Sequence, residues 1–322
     1  MRDRYLDLLR AIAVGRVLVY HVYGWAWLTF AMPAMGVMFA IAGSLTAASL
    51  ARSPASAVVG GRLRRLLPPL WLLGAVALPV MAFGGWRPDW RVVWWVLPLG
   101  DPVGSDDGLP YWEVLWYLRA YLWFLLLSPV LFRLYRRAPW PTVALPLVLL
   151  VAVRTSGFAL PGAADNVQWD LLTYGACWVA GFAHRDGRLA ALPRPALAAV
   201  VVLLSGGTVG WLLIEPVPSQ GDLDSVPGAQ ALWSLAFVLV ILRRRPAVAA
   251  SPVLRWVNTH AVTIYLWHNP MIFVAGLIPV ASGWTLPLTV ALTGVAVLVA
   301  GPVERAAARW SRASPAPVYA NR

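Results

Sequence analysis

Ten apolar stretches, most of them close to the length that crosses a lipid bilayer and one of them short, run along this chain of 322 residues. A transmembrane helix needs about 20 mostly apolar residues, because lipid offers no hydrogen-bond partners to an open backbone. The sequence therefore predicts an all-α, polytopic integral membrane protein with about ten transmembrane helices. The predicted spans are Leu8–Leu28, Ala34–Ala51, Leu66–Phe83, Tyr111–Leu131, Thr142–Phe158, Val167–Ala183, Ala196–Ile214, Ala229–Leu242, Thr259–Pro279 and Leu286–Val303.

The composition excludes the other broad classes of protein. Charged residues make up 12% of the chain, against about 25% in an average soluble domain. The mean hydropathy is +0.67, whereas disorder requires low hydrophobicity and high charge. The sequence also has no glycine-rich phosphate loop, nucleophile elbow or metal-ligand cluster. We therefore expect no metal site, and we disfavour a nucleotide hydrolase or a metalloenzyme.

The net charge of +12 is explained by topology rather than by a nucleic acid partner. All 26 basic residues are arginines, and arginine collects in the cytoplasmic segments of membrane proteins. With the N-terminus inside, all but six fall in inner segments. The exceptions are Arg87, Arg91 and Arg154 in outer segments, and Arg10, Arg16 and Arg119 within predicted spans. This pattern predicts an even number of spans with both termini in the cytoplasm.

The chain has no room for a separate soluble domain. We predict one transmembrane domain over residues 1–310 and a loose cytoplasmic tail over residues 311–322, which is rich in proline and alanine. The first apolar stretch is interrupted by Arg10, Arg16 and His21, so we interpret it as a retained helix rather than a cleaved signal peptide. The lone cysteine, Cys177, is interpreted as a small core residue.

The first predicted helix carries the densest set of ionisable residues. Arg10 and His21 are 11 residues apart, which is three helical turns plus about 20°, so they share one face about 16 Å apart. Asp7 lies one turn before Arg10 and can pair with it. Arg16 lies on a different face of the helix from Arg10 and His21. The arrangement suits a ligand with an anionic end in the cytoplasm and a reactive end deep in the bundle.

Two histidines are placed at mid-depth, where an ionisable group marks a functional candidate. His21 is the better candidate for acid–base chemistry, because imidazole titrates near neutrality. A buried histidine that bonds a neighbouring helix is an equally open interpretation. His268 is at least as well explained by such an interhelical role.

Three further arginines are candidates for binding anions. Arg62 and Arg65 are one turn apart at the inner end of the third span, and arginine binds phosphate with a bidentate fork. A topology signal with lipid phosphate contacts is the favoured alternative for this pair. Arg119, inside the fourth span, needs an anionic partner, and Glu113, Asp170 or a substrate could supply it.

The ordered set of motifs resembles the bacterial membrane acyltransferase family 3. The resemblance covers the chain from end to end. It rests on Leu6-Asp7-Leu8-Leu9-Arg10-Ala11-Ile12-Ala13 followed by His21, Gly36-Val37-Met38-Phe39 through Ala42-Gly43-Ser44-Leu45, Arg62-Leu63-Arg64-Arg65 with Pro68-Pro69-Leu70-Trp71, Leu115-Trp116-Tyr117-Leu118-Arg119-Ala120-Tyr121, Thr263-Ile264-Tyr265-Leu266-Trp267-His268 and Pro302-Val303-Glu304-Arg305. The chain departs from the family's pattern at two places: no acid follows Trp116 in the fourth helix, and Asn269 follows the late histidine.

The resemblance implies a stand-alone O-acyltransferase in the bacterial cytoplasmic membrane. Its donor would be cytoplasmic acyl-CoA, with acetyl-CoA expected, used as a co-substrate without a permanently bound cofactor. Its acceptor would be a hydroxyl of a glycan, a lipid-linked molecule or a small molecule. Arg62, Arg65 and Arg10 would hold the donor phosphates. His21 would act as a general base or would carry the acyl group briefly.

The remaining residues are expected on the acceptor side or in structural support: Arg119, His268, Tyr265 and Asp7. Two alternatives remain open at this point. A transporter or flippase for an anionic or glycan substrate would use the same buried arginines and histidines, although no inverted repeat is evident. A non-catalytic member of the same fold would bind the donor without turnover.

Overall fold

The computed structural model of the protein describes residues 3–219 and 221–313, most of which are helical. It is 81% helix and has no strand within the described residues, so the all-α prediction is confirmed for that part of the chain. In chain order the helices are α1 Arg4–Tyr23, α2 Trp27–Ala31, α3 Ala34–Leu50, α4 Ala55–Phe83, α5 Leu109–Trp112, α6 Trp116–Arg137, α7 Pro139–Ser156, α8 Ala163–Arg185, α9 Arg188–Ala191, α10 Arg194–Ile214, α11 Pro227–Arg243, α12 Pro252–Thr259, α13 Ala261–Gly276 and α14 Thr285–Ala313. Short 3₁₀-helices lie at Trp90–Trp95, Asp106–Gly108, Glu113–Leu115, Leu223–Ser225 and Ser282–Trp284.

Six helical stretches in the described chain are long and apolar enough to cross a membrane. They contain α3, α4, α6, α7, α10 and α14, which correspond to six of the ten predicted spans. The other four predicted spans form α1, α8, α11 and α13. Of these, α11 and α13 are 17 and 16 residues long, while α1 and α8 carry several charged residues. The count of ten spans and the cytoplasmic termini stay predictions.

Most helix bounds differ from the predicted spans, and three of the differences bear on the candidate residues or on the predicted tail. Helix α1 stops at Tyr23 instead of Leu28, because Gly24 takes the left-handed backbone conformation (φ 65°) that ends helices. His21 therefore lies in the last turn of α1. Helix α4 begins at Ala55, so its arginine-rich start is helical. Helix α14 continues to Ala313, past the predicted start of a loose tail at residue 311, and the rest of that tail lies outside the described residues.

The described chain divides into two compact units. The first contains residues 3–20, 24–52 and 123–250, and the second contains residues 21–23, 53–122 and 251–313. The chain changes unit within α1 and within α6. The prediction of a single domain over residues 1–310 stays a prediction.

The first unit is built around α8, which packs against α3, α7 and α11. A side chain at Gly43 of α3 would collide with the Trp178 carbonyl, and one at Gly181 of α8 would collide with the Ala40 carbonyl. Small residues at such positions let two helix backbones approach closely in a membrane protein. Because neighbouring helices surround it, the segment of α8 from Leu172 to His184 is buried throughout.

The second unit is built around α4, α13 and α14, which pack against one another. The long connection between α4 and α5 folds back onto α4. Within it, the Trp95 side chain is buried, and the Trp71 indole of α4 donates a 2.8 Å hydrogen bond to the Val96 carbonyl. The buried apolar cluster of this unit consists of Leu70, Leu73, Ala77, Met81, Trp95, Val114, Leu115, Leu118, Tyr265 and Leu266.

Candidate functional site

Most of the candidate residues from the sequence belong to the second unit, although they are far apart along the chain. The first unit holds Asp7 and Arg10. The second unit holds His21, Arg62, Arg65, Arg119, Tyr265 and His268. The three residues His21–Tyr23 at the end of α1 are the part of that helix that belongs to this unit. The second unit therefore contains most of the candidate residues, including both mid-depth histidines.

His21 and His268 lie side by side in the second unit. Their ring centroids are 5.2 Å apart and the ring planes meet at 70°, which is an edge-to-face arrangement. His21 is half-buried in the last turn of α1. His268 lies in the middle of α13 and only 2% of it is exposed. The two histidines are 247 positions apart in the sequence, which gives no signal for this contact, so neither position predicts the other.

Tyr265, one turn before His268 on α13, is anchored at both of its ends. Its hydroxyl donates a hydrogen bond to the Val114 carbonyl, and its ring packs against the Tyr117 ring with centroids 5.1 Å apart. Its backbone carbonyl lies 2.5 Å from Nδ1 of His268. The tyrosine thus supports the histidine from within the same helix.

Arg119 is buried in α6, with 3% of the residue exposed. Its guanidinium forms an ion pair with Asp101 from the connection between α4 and α5. The Asp101 side chain is 36% exposed, so the pair joins a buried cation to a carboxylate near the surface. From the sequence we expected Glu113, Asp170 or a substrate as the partner. The sequence does not indicate Asp101, because it lies 18 residues away in a connection whose path cannot be predicted from the residues alone.

The arginines at the start of α4 differ in their surroundings. The Arg62 guanidinium donates a 2.8 Å hydrogen bond to the Tyr121 hydroxyl of α6, and the residue is half-buried. Arg64 lies over the Trp310 ring at 5.8 Å. Arg65 is exposed. Since the segment is helical, Arg62 and Arg65 share a face one turn apart, as the spacing predicted.

Asn269, one of the two departures from the family's pattern, contacts an acid in the second unit. The Asn269 side-chain amide donates a 3.3 Å hydrogen bond to the Glu113 carboxylate. Glu113 lies in the 3₁₀-helix just before α6, three residues ahead of Trp116. Glu113 therefore supplies an acid beside Asn269, the residue after His268. In the sequence this acid precedes Leu115-Trp116 instead of following it.

A buried carboxylate holds the start of α13. Glu304 of α14 is fully buried. Its carboxylate accepts hydrogen bonds from the Thr263 backbone N–H at 2.9 Å, the Thr263 hydroxyl at 2.6 Å and the Val262 N–H at 3.3 Å. A helix N-terminus leaves its first N–H groups without helical partners and carries a partial positive charge, so a carboxylate is well suited to this position. In the sequence, Glu304 is marked only by its place in the motif Pro302-Val303-Glu304-Arg305 and was not predicted as a site residue.

The residues of the first unit keep the geometry expected from α1. Nη1 of Arg10 lies 3.8 Å from the Asp7 carboxylate, so the predicted pair within the helix is confirmed. Both side chains are partly exposed. Arg16 instead donates a 3.2 Å hydrogen bond to the Leu28 carbonyl and lies over the Tyr20 ring.

Comparison with known protein families decides the assignment. The model of an acyltransferase domain, that of acyltransferase family 3, matches residues 3–305. The chain belongs to acyltransferase family 3. Membership of this family supports the interpretation of the chain as a multi-pass membrane acyltransferase. It gives no support to the alternative of a transporter or flippase. No curated protein and no solved structure matches the chain.

The match locates the candidate residues of this acyltransferase within the family domain. Residues 3–305 include every residue that we assign to donor, acceptor or chemistry, from Asp7 to Asn269. They also include Glu304 at the far end.

Proposed function

We propose that this acyltransferase moves an acyl group, with acetyl expected, from cytoplasmic acyl-CoA to an acceptor hydroxyl. The acceptor is a hydroxyl of a glycan, a lipid-linked molecule or a small molecule. The observation that carries the proposal is the pairing of His21 with His268 in the unit that also contains Arg62, Arg65 and Arg119. A base and several fixed positive charges are what transfer from an anionic thioester donor requires. The protein works in the bacterial cytoplasmic membrane with acyl-CoA, the acceptor and the bilayer as its partners.

The donor's phosphates are assigned to arginine side chains. Arg62 uses one nitrogen to bond Tyr121, which orients its guanidinium while its other N–H groups remain available for phosphate oxygens. Arg65 on the same face supplies a second guanidinium. Arg10 lies three turns before His21 on α1, about 16 Å along the axis. A donor whose charged end lies near Arg10 therefore extends its thioester toward His21.

His21 is assigned the chemistry. As a general base it removes the proton from the acceptor hydroxyl, whose oxygen then attacks the thioester carbonyl carbon. The carbon–sulfur bond breaks and the departing thiolate takes up the proton. As an acyl carrier, His21 attacks the carbonyl carbon first, the carbon–sulfur bond breaks, and the departing thiolate takes up the ring proton. The acceptor hydroxyl then attacks the acyl-imidazole, and its proton returns to the ring nitrogen as the acyl group leaves. Both routes use the same ring and leave the enzyme unchanged at the end.

The acceptor is assigned to the outer part of the second unit. Arg119 contributes no unbalanced charge, because Asp101 neutralises it. Glu113 and Asn269 form a hydrogen-bonded pair of the kind that recognises hydroxyl groups. This set favours a neutral, hydroxyl-bearing acceptor over an anionic one. Tyr265 and Asp7 support the arrangement, the former by anchoring α13 and the latter by holding Arg10.

Purified protein in lipid nanodiscs, supplied with radiolabelled acetyl-CoA, tests the function directly. We expect thioester cleavage and covalent transfer to co-purifying or added acceptors. His21→Ala should lower the rate by about 10²–10⁴-fold, the range typical of a lost general base. His184→Gln, which changes a buried histidine of the first unit, is the matched control and should keep the wild-type rate. Full activity of folded His21→Ala would overturn the assignment of this residue.

The donor assignment is tested by binding rather than by rate. Arg62→Ala should weaken acetyl-CoA binding by about 10–100-fold, since a hydrogen bond to a charged group contributes about 1.5–3 kcal/mol. Arg64→Ala, two residues away and stacked on Trp310, is the control and should bind normally. Equal affinity of the Arg62 variant would return that residue to a topological role. Transfer from another acyl donor with no use of acetyl-CoA would contradict the donor class while leaving acyl transfer intact.

A further inference from the structure

His268 has one satisfied and one unsatisfied ring nitrogen. Nδ1 lies 2.5 Å from the Tyr265 carbonyl. Nε2 is buried and has no hydrogen-bond partner among the described residues. A buried polar atom without a partner costs about 1–3 kcal/mol, so this nitrogen needs an explanation.

The contact with Tyr265 fixes where the proton of His268 is. A carbonyl oxygen can only accept a hydrogen bond, so Nδ1 must carry the hydrogen and donate it. In the neutral ring, Nε2 then carries a lone pair and acts only as an acceptor. Nε2 of His268 is therefore a buried hydrogen-bond acceptor that no described group donates to.

The neighbouring donor is the ring of His21. Its centroid lies 5.2 Å from that of His268, with the planes at 70°. His268 is 2% exposed whereas His21 is half-buried, so an acceptor molecule reaches His21 and not His268. Any effect of His268 on the reaction consequently passes through His21.

We propose that His268 is a positioning residue: its Nε2 accepts a hydrogen bond from a ring N–H of His21 during acyl transfer. This inference rests on the proposed function. The Tyr265 carbonyl holds His268, and Nε2 of His268 holds His21 in the tautomer whose other nitrogen faces the acceptor hydroxyl. When His21 takes the hydroxyl proton, the resulting imidazolium donates its opposite N–H to His268. His268 stays neutral throughout, and the proton leaves His21 for the departing thiolate.

The arrangement has the logic of a triad with an uncharged third member. In the serine hydrolases a carboxylate orients the catalytic histidine and stabilises its charged form. A neutral imidazole provides the same orientation with less charge stabilisation, and it avoids the cost of burying a carboxylate in the membrane. Catalytic hydrogen bonds are commonly long in ligand-free structures and shorten in the reacting complex, which fits the open Nε2 seen here.

Isosteric variants separate this role from simple packing. The glutamine side chain places an amide oxygen near the position of Nε2, whereas leucine offers similar volume without an acceptor. We expect His268→Gln to keep kcat within about 10-fold of wild type and His268→Leu to lose about 100-fold, with the affinity for acetyl-CoA unchanged in both. Equal kcat of the two variants would overturn the proposal, because packing alone does not distinguish them.

His184 provides a matched control in the first unit. It is 3% exposed, its Nδ1 bonds the Ser44 hydroxyl at 2.9 Å, and its Nε2 also lacks a partner among the described residues. It therefore shares the burial and the open nitrogen of His268 but belongs to the other unit. His184→Gln and His184→Leu should differ in stability at most, with equal kcat in the folded protein.

Nitrogen-15 NMR of histidine gives a readout that does not depend on activity. The chain has only 4 histidines, so single variants assign every resonance. We expect Nδ1 of His268 to be protonated in the nanodisc-bound protein, and the His21 nitrogen signals to shift in His268→Leu but to stay near wild type in His268→Gln. A protonated Nε2 on His268, or His21 signals that ignore both variants, would refute the inference.

The outcomes also separate this inference from the proposed function. If wild-type protein transfers the acyl group and His21→Ala does not, while His268→Leu is fully active, only the role of His268 is wrong. If wild-type protein cleaves no thioester with any acyl donor, the proposed function itself is wrong. The NMR result on the tautomer and coupling of the two rings still decides the structural part of the inference in that case.

Discussion

The Arg119–Asp101 pair shows how a buried charge is satisfied within the second unit. Removing one partner of a buried ion pair leaves an uncompensated charge. Because the Asp101 side chain is 36% exposed, water reaches the pair, and we expect Asp101→Asn to destabilise the fold by about 1–3 kcal/mol. The double variant Arg119→Leu/Asp101→Asn should recover part of this loss, as seen in the midpoint of thermal unfolding in detergent.

The exposed pair of Asp89 and Arg91 provides the control for this prediction. Their side chains lie 2.7 Å apart but are 44% and 52% exposed, so solvent screens them. Asp89→Asn should leave the unfolding midpoint unchanged. Equal effects of the Asp89 and Asp101 variants would show that Asp101 does not compensate a buried charge.

Asp224, in the loop before α11, links stability to pH. The surrounding chain removes part of its hydration, and the neighbouring Asp222 carboxylate adds repulsion, so the pKa of Asp224 rises to about 6 against the opposing effect of Arg16. The folded state therefore binds this proton more tightly than the unfolded state, and stability falls as pH rises from about 4 to 6. Because Asp224 is exposed at the surface, solvent screens these charges and the resulting effect on stability is small. We expect wild-type protein to melt higher at pH 5 than at pH 7, and Asp224→Asn to reduce that difference. An unchanged difference in the variant would assign the pH dependence to other groups.

Individual site residues differ in how far the sequence can predict them. His21, Arg10 and Asp7 follow from periodicity along one helix, and the structure keeps their spacing and the Asp7–Arg10 pair. Partners such as Asp101 for Arg119 and Tyr121 for Arg62 lie in other segments, and their proximity depends on packing. Periodicity describes one helix face and carries no information about which loop will cover it.

At the scale of the helices, Glu304 determines how α13 begins. Its carboxylate accepts three hydrogen bonds from Val262 and Thr263, six and five residues before His268. Glu304→Gln replaces one accepting oxygen with a donor that faces other donors, so we expect a loss of about 1–3 kcal/mol in unfolding free energy. We also expect kcat to fall several-fold with unchanged donor binding, because α13 carries Tyr265 and His268.

Thr289 on α14 is the control for Glu304. Its hydroxyl bonds only the Thr285 carbonyl one turn earlier in the same helix among the bonds described. Thr289→Val should therefore leave kcat unchanged and affect stability little. If Glu304→Gln retains wild-type kcat while melting lower, the carboxylate serves stability alone and has no influence on the candidate site.

The helices are predictable in position but less so in their ends. Apolar runs locate the lipid-facing core of each helix, and a helix is present at all ten predicted spans. The runs do not show that α4 starts 11 residues before Leu66 and continues through Pro68 and Pro69. Proline is tolerated inside membrane helices because neighbouring groups satisfy the freed carbonyls, so the usual rule for ending a helix is weak here.

On the scale of the whole molecule, burial explains why some helices are less apolar than a lipid-facing span. The segment of α8 from Leu172 to His184 is enclosed by other helices of the first unit, and its N-terminal part carries Asp165, Gln168 and Asp170. A helix covered by protein does not need a fully apolar surface. A hydropathy criterion therefore selects peripheral helices such as α7 and α10, which are only 17% buried over their apolar windows, more readily than central ones.

The arginine distribution predicts which connections face the cytoplasm, and the single cysteine makes this testable. Cys177 is buried and free, so Cys177→Ala gives a background without reactive thiols. The exposed positions Ser53 and Ala250 lie in arginine-rich inner segments, whereas Phe158 and Pro218 lie in outer ones. In intact cells, a membrane-impermeant maleimide should label Phe158→Cys and Pro218→Cys but not Ser53→Cys or Ala250→Cys. Permeabilised cells should show labelling at all four positions, which controls for thiol reactivity. The reverse pattern would place the donor arginines outside the cell, where cytoplasmic acyl-CoA cannot reach them. Labelling of only one of Ser53→Cys and Ala250→Cys, or of only one of Phe158→Cys and Pro218→Cys, would reveal an odd number of membrane crossings between those two positions.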